Sequence, residues 1–111
     1  MQTTIGTAVL GIAVAGFVVL APAADAATVT PVKVIDFAFS PKLVTITRGS
    51  AVKWSNQSGF FQHSVTRTAG AWTINRTLSP GVSVSQTFPN PGTYSYHCRF
   101  HSVMVGKVVV K

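Results

Sequence analysis

The sequence predicts an all-β fold, a sandwich or barrel of short antiparallel strands, on three observations. Val, Thr and Ser dominate the chain beyond residue 26. No apolar series recurs at helical spacing there, whereas apolar and polar residues alternate over short runs. Turn-forming clusters divide these runs: Ser40-Pro41, Arg48-Gly49-Ser50, Gln57-Ser58-Gly59, Ser79-Pro80-Gly81 and Pro89-Asn90-Pro91-Gly92.

The N-terminal segment stands apart from this pattern. Ile5 to Ala24 reads IGTAVLGIAVAGFVVLAPAA, apolar and uncharged, and Ala24-Asp25-Ala26 follows the small-x-small rule of signal peptidase. Residues 1–26 are therefore read as a signal peptide cleaved after Ala26, with Ala23 as the alternative site. MQTTIG lacks the Lys or Arg usual at such a start. About 20 apolar residues just span a bilayer, so retention as a membrane anchor through residues 5–24 is the competing reading. No cysteine lies near for lipid attachment, and there is no twin-arginine pair. Residues 27–111 then form one domain, long enough for a single core.

Within that domain the expected strands are Val29–Phe37, Leu43–Thr47, Ala51–Ser55, His63–Arg67, Val82–Phe88, Thr93–Cys98 and Lys107–Val110. The stretch Ala69–Leu78 carries the weakest signal and is given one short strand around Trp72–Asn75. Alternation turns Val44, Ile46, Val52 and Trp54 inward and Thr45, Thr47 and Lys53 outward. Trp54, Trp72, Phe37 and Phe39 are the expected core.

All nine Lys and Arg lie beyond residue 26, against the single acid Asp36. They are scattered rather than gathered in the run or stripe that nucleic-acid binding needs. The charge is that of a solvated surface, or of one that steers toward acidic partners or anionic envelope surfaces. Asn56-Gln57-Ser58 and Asn75-Arg76-Thr77 match the glycosylation pattern, which arises cheaply in a chain rich in Ser and Thr, and both are read as coincidence.

An exported chain with one cysteine cannot form an internal disulfide, so its thiol is inert, pairs between chains or does chemistry. Cys98 closes the strand Tyr94-Ser95-Tyr96-His97-Cys98, in which Tyr94, Tyr96 and Cys98 share the inner face and His97 takes the outer one. Residues 99–104 are expected to form a loop that brings His101 and Met104 back toward the thiol. His63 lies 35 residues earlier, at the start of another strand. One soft thiolate, two imidazoles and a thioether match the trigonal His2Cys copper site with a long axial Met. Zinc is a poorer match, since a thioether is a weak ligand for it. One cysteine is too few for a binuclear copper centre, and three histidines are too few for a trinuclear cluster. The bland alternative is a buried inert Cys98 beside a core Met and a surface His.

Several segments together resemble the cupredoxins, the small blue copper proteins: DFAFSP, Thr45 to Gly49, Val52 to Asn56, His63 to Thr66, Pro80-Gly81 and PGTYSYHCRFHSVMVGKVVV. The short C-x2-H-x2-M loop resembles the amicyanin form. The resemblance implies a Greek-key β-sandwich of seven to eight strands with one type 1 copper. It implies His63, Cys98, His101 and Met104 as ligands, and the Gln62 carbonyl as a distant contact opposite Met104. The leading reading is an electron carrier rather than an enzyme, which the expected leader places outside the cytoplasm (the periplasm, or secreted), working as a monomer.

Partners would be redox proteins with an acidic docking surface, received at an apolar collar drawn from Phe60, Phe61, Phe100 and Val103, with Arg99 on its rim. His97 occupies a position that some members use for a lateral contact. Ser64 stands where the family often has Asn, and Phe100 and Ser102 stand where prolines are common. Ser64 is expected to tie the ligand loops together through its hydroxyl. The competing functions are a copper-delivery protein, for which the metal is cargo, and a metal-free adhesion module.

Overall fold

The computed structural model describes residues 26–111. The expected leader at residues 1–26 lies almost wholly outside the described residues. Nine strands follow in order: β1 (Val29–Ile35), β2 (Ala38–Ser40), β3 (Leu43–Ile46), β4 (Ala51–Asn56), β5 (His63–Ala69), β6 (Asn75–Leu78), β7 (Ser83–Thr87), β8 (Gly92–Cys98) and β9 (His101–Val110). They form two mixed sheets, of order β3-β9-β8-β5-β6 and β2-β1-β4-β7, packed as a sandwich. Each sheet contains one parallel pair, β1 with β4 and β3 with β9. The all-β sandwich is as expected, with nine strands where seven or eight were expected.

Alternation sets the core as the sequence requires. Val44, Ile46, Val52 and Trp54 are buried, while Leu43, Thr45 and Lys53 face solvent. Each fully buried aliphatic or aromatic side chain here contributes roughly 1.5–3 kcal/mol. Trp72 packs at 6.2 Å from Trp54, 5.5 Å from Phe88 and 5.7 Å from Tyr94, ring centre to ring centre. Phe39 lies edge-on to Tyr96 at 4.7 Å. Tyr94, Tyr96 and Cys98 share the inner face of β8, as predicted.

Four expectations need correction. Val29–Phe37 is not one strand: β1 ends at Ile35, and a turn at Asp36-Phe37 leads into β2. Phe37 is consequently not core but 45% exposed, because the turn carries it to the end of the sandwich. The weak segment forms its strand at Asn75–Leu78 rather than Trp72–Asn75; the Trp72 indole is instead fixed by donating to the Ala69 carbonyl at 3.0 Å. Finally, residues 99–104 are not all loop. Only Arg99 and Phe100 form the turn, and β9 begins at His101.

Candidate metal centre

The site lies at one end of the sandwich, where β5, β8 and β9 meet. Because β9 starts so early, His101 is the cross-strand partner of Cys98, and the register then jumps so that Val105 faces His97. This irregularity takes up Ser102, Val103 and Met104, and it leaves Met104 fully buried. His63 opens β5, which pairs with β8, so all three strands deliver side chains to one place.

The Cys98 Sγ lies 3.6 Å from the His101 Nδ1 and 3.9 Å from the His63 Nδ1. One ligating atom from each of His63, Cys98 and His101 falls within 4.8 Å of the others. The two imidazole centres are 5.0 Å apart. His63, Cys98 and Met104 are buried, and His101 is half-exposed. The structure thus brings three of the four expected donors together, while the fourth, Met104, is buried on the strand that carries His101. A soft thiolate and two imidazoles at this spacing suit copper.

Surrounding hydrogen bonds hold these groups in place. The Ser64 N–H donates to Cys98 Sγ at 3.3 Å, and the Ser64 hydroxyl accepts from the Arg99 N–H at 2.8 Å. Ser64 therefore ties the His63 segment to the Cys98 segment, as expected for its position. The Arg99 guanidinium reaches across to β6, donating to Thr77 Oγ1 at 2.7 Å and to Asn75 Oδ1, and it stacks on Phe100 at 5.2 Å.

Three residues were missed by the sequence reading. Asn56 is buried, and its amide donates to the carbonyls of Phe61 at 2.9 Å and Leu78 at 2.8 Å, while its oxygen accepts from the Ser58 N–H at 2.9 Å. It shapes the loop leading to His63, and its burial rules it out as a glycosylation acceptor in the folded chain. Asp36 accepts from His63 Nε2 at 2.8 Å. Phe37 packs on His101 at 4.7 Å and on Phe61 at 5.4 Å. Single acids and buried asparagines carry no spacing signal, so nothing in the pattern marked them.

The hydrogen bond with His63 is the main reason the Asp36 carboxyl lies below its ordinary 3.8. Partial burial opposes it, while Ser58 and the charges of His63 and His101 add smaller downward pulls. On the far side of β8, His97 is half-exposed and its Nδ1 meets the Thr68 hydroxyl at 2.6 Å. Around the half-exposed His101, the side chains of Phe37, Phe60, Phe61, Phe100 and Val103 are all exposed, and they supply an apolar rim.

A sandwich of this topology with two imidazoles and a thiol converging at one end defines a class of small copper proteins. Comparison with known families agrees: the model of the cupredoxin-like domain matches residues 8–110, and the chain belongs to the cupredoxin family. The amicyanin-alpha of Methylorubrum extorquens is 37% identical over 86 residues, covering 74% of this chain and 71% of that protein. The chloroplastic plastocyanin of Tetradesmus obliquus is 37% identical over 113 residues, covering 91% of this chain and 77% of that one.

Among solved structures, a purple cupredoxin from Nitrosopumilus maritimus superposes with a TM-score of 0.67 at 23% identity, covering 74% of this chain and 99% of that one. A copper-containing nitrite reductase from Thermus scotoductus gives 0.69 at 26% identity over 74% of this chain, which amounts to 22% of the reductase. The cofactor of this family, and of this chain, is a single copper ion.

Proposed function

We propose that the chain is an exported electron carrier with one type 1 copper, which His63, Cys98, His101 and Met104 would hold. The observation that carries this reading is the convergence of one thiol and two imidazole nitrogens within 4.8 Å. Copper supplies a one-electron change between Cu(II) and Cu(I). The protein's part is to keep the donors nearly still. Cys98 and His101 are cross-strand partners, and Ser64 and Asp36 hold the sulfur and the first imidazole from outside.

The exposed side of His101, set among Phe60, Phe61, Phe100 and Val103, is the natural exit for an electron toward a docked redox partner. An acidic partner surface would complement a domain with nine basic residues and one acid. Residues 27–111 are the working domain in this account, acting as a monomer outside the cytoplasm after removal of residues 1–26. Anchoring through residues 5–24 is the variant of the same reading.

The reductase likeness does not move us to an enzyme. Beyond His63 and His101 the chain has only His97, which is engaged with Thr68, so it has no histidines for a second copper site. Copper as cargo requires easy release, which the burial of His63, Cys98 and Met104 disfavours.

The test is a visible spectrum of the purified protein after one equivalent of Cu(II). We expect an intense blue band, bleached by ascorbate and restored by an oxidant. A colourless protein whose Cys98 still reacts with a thiol reagent would sink the proposal and favour the adhesion module. Rapid loss of copper to a chelator would favour delivery.

A further inference from the structure

The β1–β2 turn lies in the sheet opposite to all four proposed ligands, yet it touches both imidazoles. Asp36 accepts from His63 Nε2 at 2.8 Å, and the next residue, Phe37, packs on His101 at 4.7 Å and edge-on to His63 at 6.3 Å. His63 is fully buried, whereas the Asp36 side chain is 35% exposed. Asp36 is also the one acid among residues 27–111. In a domain otherwise stripped of negative charge, the single carboxylate is placed against a buried imidazole rather than beside a surface lysine or arginine.

We propose that Asp36 is a positioning residue of the metal centre, fixing His63 as the Nε2–H tautomer with Nδ1 free for copper and holding the reduction potential down. The inference rests on the reading of His63 as a ligand.

A ring nitrogen that donates to a carboxylate leaves the other nitrogen more basic and in a fixed orientation. Here the bare nitrogen is Nδ1, the one that faces the Cys98 sulfur. A more basic ligand backed by a negative charge then favours the more highly charged ion, Cu(II) over Cu(I). The potential therefore falls. This effect opposes that of the Arg99 guanidinium, whose positive charge favours Cu(I).

Asp36→Asn tests the charge alone, since the amide oxygen still offers an acceptor to Nε2–H. Asp36→Ala removes the acceptor as well. Both sit on an exposed turn, so the fold is expected to survive. In copper-loaded protein we expect the blue band to persist in Asp36→Asn with a midpoint shifted upward. Asp36→Ala should show the upward shift together with a loss of Cu(II) affinity of about tenfold or more. A midpoint equal to or below that of the unsubstituted protein in both variants, with the band intact, overturns the proposal.

The metal-free protein gives an independent readout through nitrogen–proton correlation spectra of the histidines. A protonated, exchange-protected Nε2 on His63 that loses its protection in Asp36→Ala is the expected result, whereas a proton on Nδ1 alone overturns it. Should the unsubstituted protein bind no copper, the carrier reading fails, and these spectra still decide whether Asp36 sets the tautomer.

Discussion

Asn56 shows how much of the site depends on single buried groups outside the proposed ligand set. Its amide and oxygen satisfy one carbonyl and one N–H of the loop between β4 and His63, and the Leu78 carbonyl at the end of β6. Asn56→Ala leaves all three without that partner, and a buried orphan costs about 1–3 kcal/mol. We therefore expect a loss of roughly 2–4 kcal/mol in the urea unfolding of the metal-free protein; a loss near zero would mean water replaces the side chain. Ser64→Ala is milder, because the Arg99 N–H loses its acceptor while the Thr66 hydroxyl, which also meets Ser64 Oγ at 2.9 Å, keeps Asn75 as a partner, and about 1 kcal/mol is expected. Asp36 adds a pH dependence. Its folded carboxyl lies below 3.8, so its contribution to stability is complete above that value and fades as pH falls through the lower folded one. At this scale the residues proposed as ligands were legible, because Cys, His and Met in one short stretch carry their own chemistry, and His63, Cys98 and His101 do converge. Asp36, Asn56 and Phe37 were not, because their partners lie elsewhere in the chain and only the fold brings them together.

At the scale of elements, β9 joins the site to the core, and Gly106 marks the join. It faces Tyr96 on β8, and a Cβ at this position would overlap the tyrosine ring. Gly106→Ala must therefore push Tyr96 aside from its packing against Phe39 and Trp54. We expect roughly 3 kcal/mol of destabilisation, at the upper end of overpacking costs, read as a lowered denaturant midpoint. An unchanged midpoint would mean the ring has room to move. The sequence reading starts the last strand at Lys107, just after this glycine, yet β9 begins six residues earlier, at His101. Alternation failed there for a physical reason: the register jump between His101 and Val105 breaks the period of two that the reading relied on. The same limit applied at Asp36-Phe37, where an apolar run continued through a turn, and at β6, whose polar edge residues offered no inner face to detect.

Tyr96 links that element to the stability of the sandwich as a whole. Its hydroxyl is buried without a hydrogen-bond partner, and burial pushes its pKa up from 10.0 to about 12, with the nearby Trp54 indole a smaller opposing influence. The neutral form is the one the fold tolerates, so this contribution is complete below pH 10 and is lost as pH rises through 12. A two-unit shift corresponds to roughly 3 kcal/mol. Unfolding midpoints should hold to about pH 10 and then fall steeply; a flat profile to pH 12 would mean the hydroxyl finds a partner.

For the whole molecule, alternation told which face each strand buries but not which strand lies beside it, so the two parallel pairs came only with the structure. Charge, by contrast, is a whole-molecule property that the sequence does specify. Nine basic residues stand against the single acid Asp36, so little negative charge offsets the field. Such a field speeds the approach of anions and slows that of cations, by an amount that salt screens. The screening length falls from about 30 Å at 0.01 M to about 3 Å at 1 M. Oxidation of the copper-loaded, reduced protein by an anionic complex should therefore slow steeply as salt is added, while oxidation by a cationic complex should quicken. The two trends should converge on salt-independent limits once the screening length is shorter than the contact distance. Rates that ignore salt for both complexes would mean that the positive charge lies away from the His101 edge, and the preference for acidic partners would then have no kinetic basis.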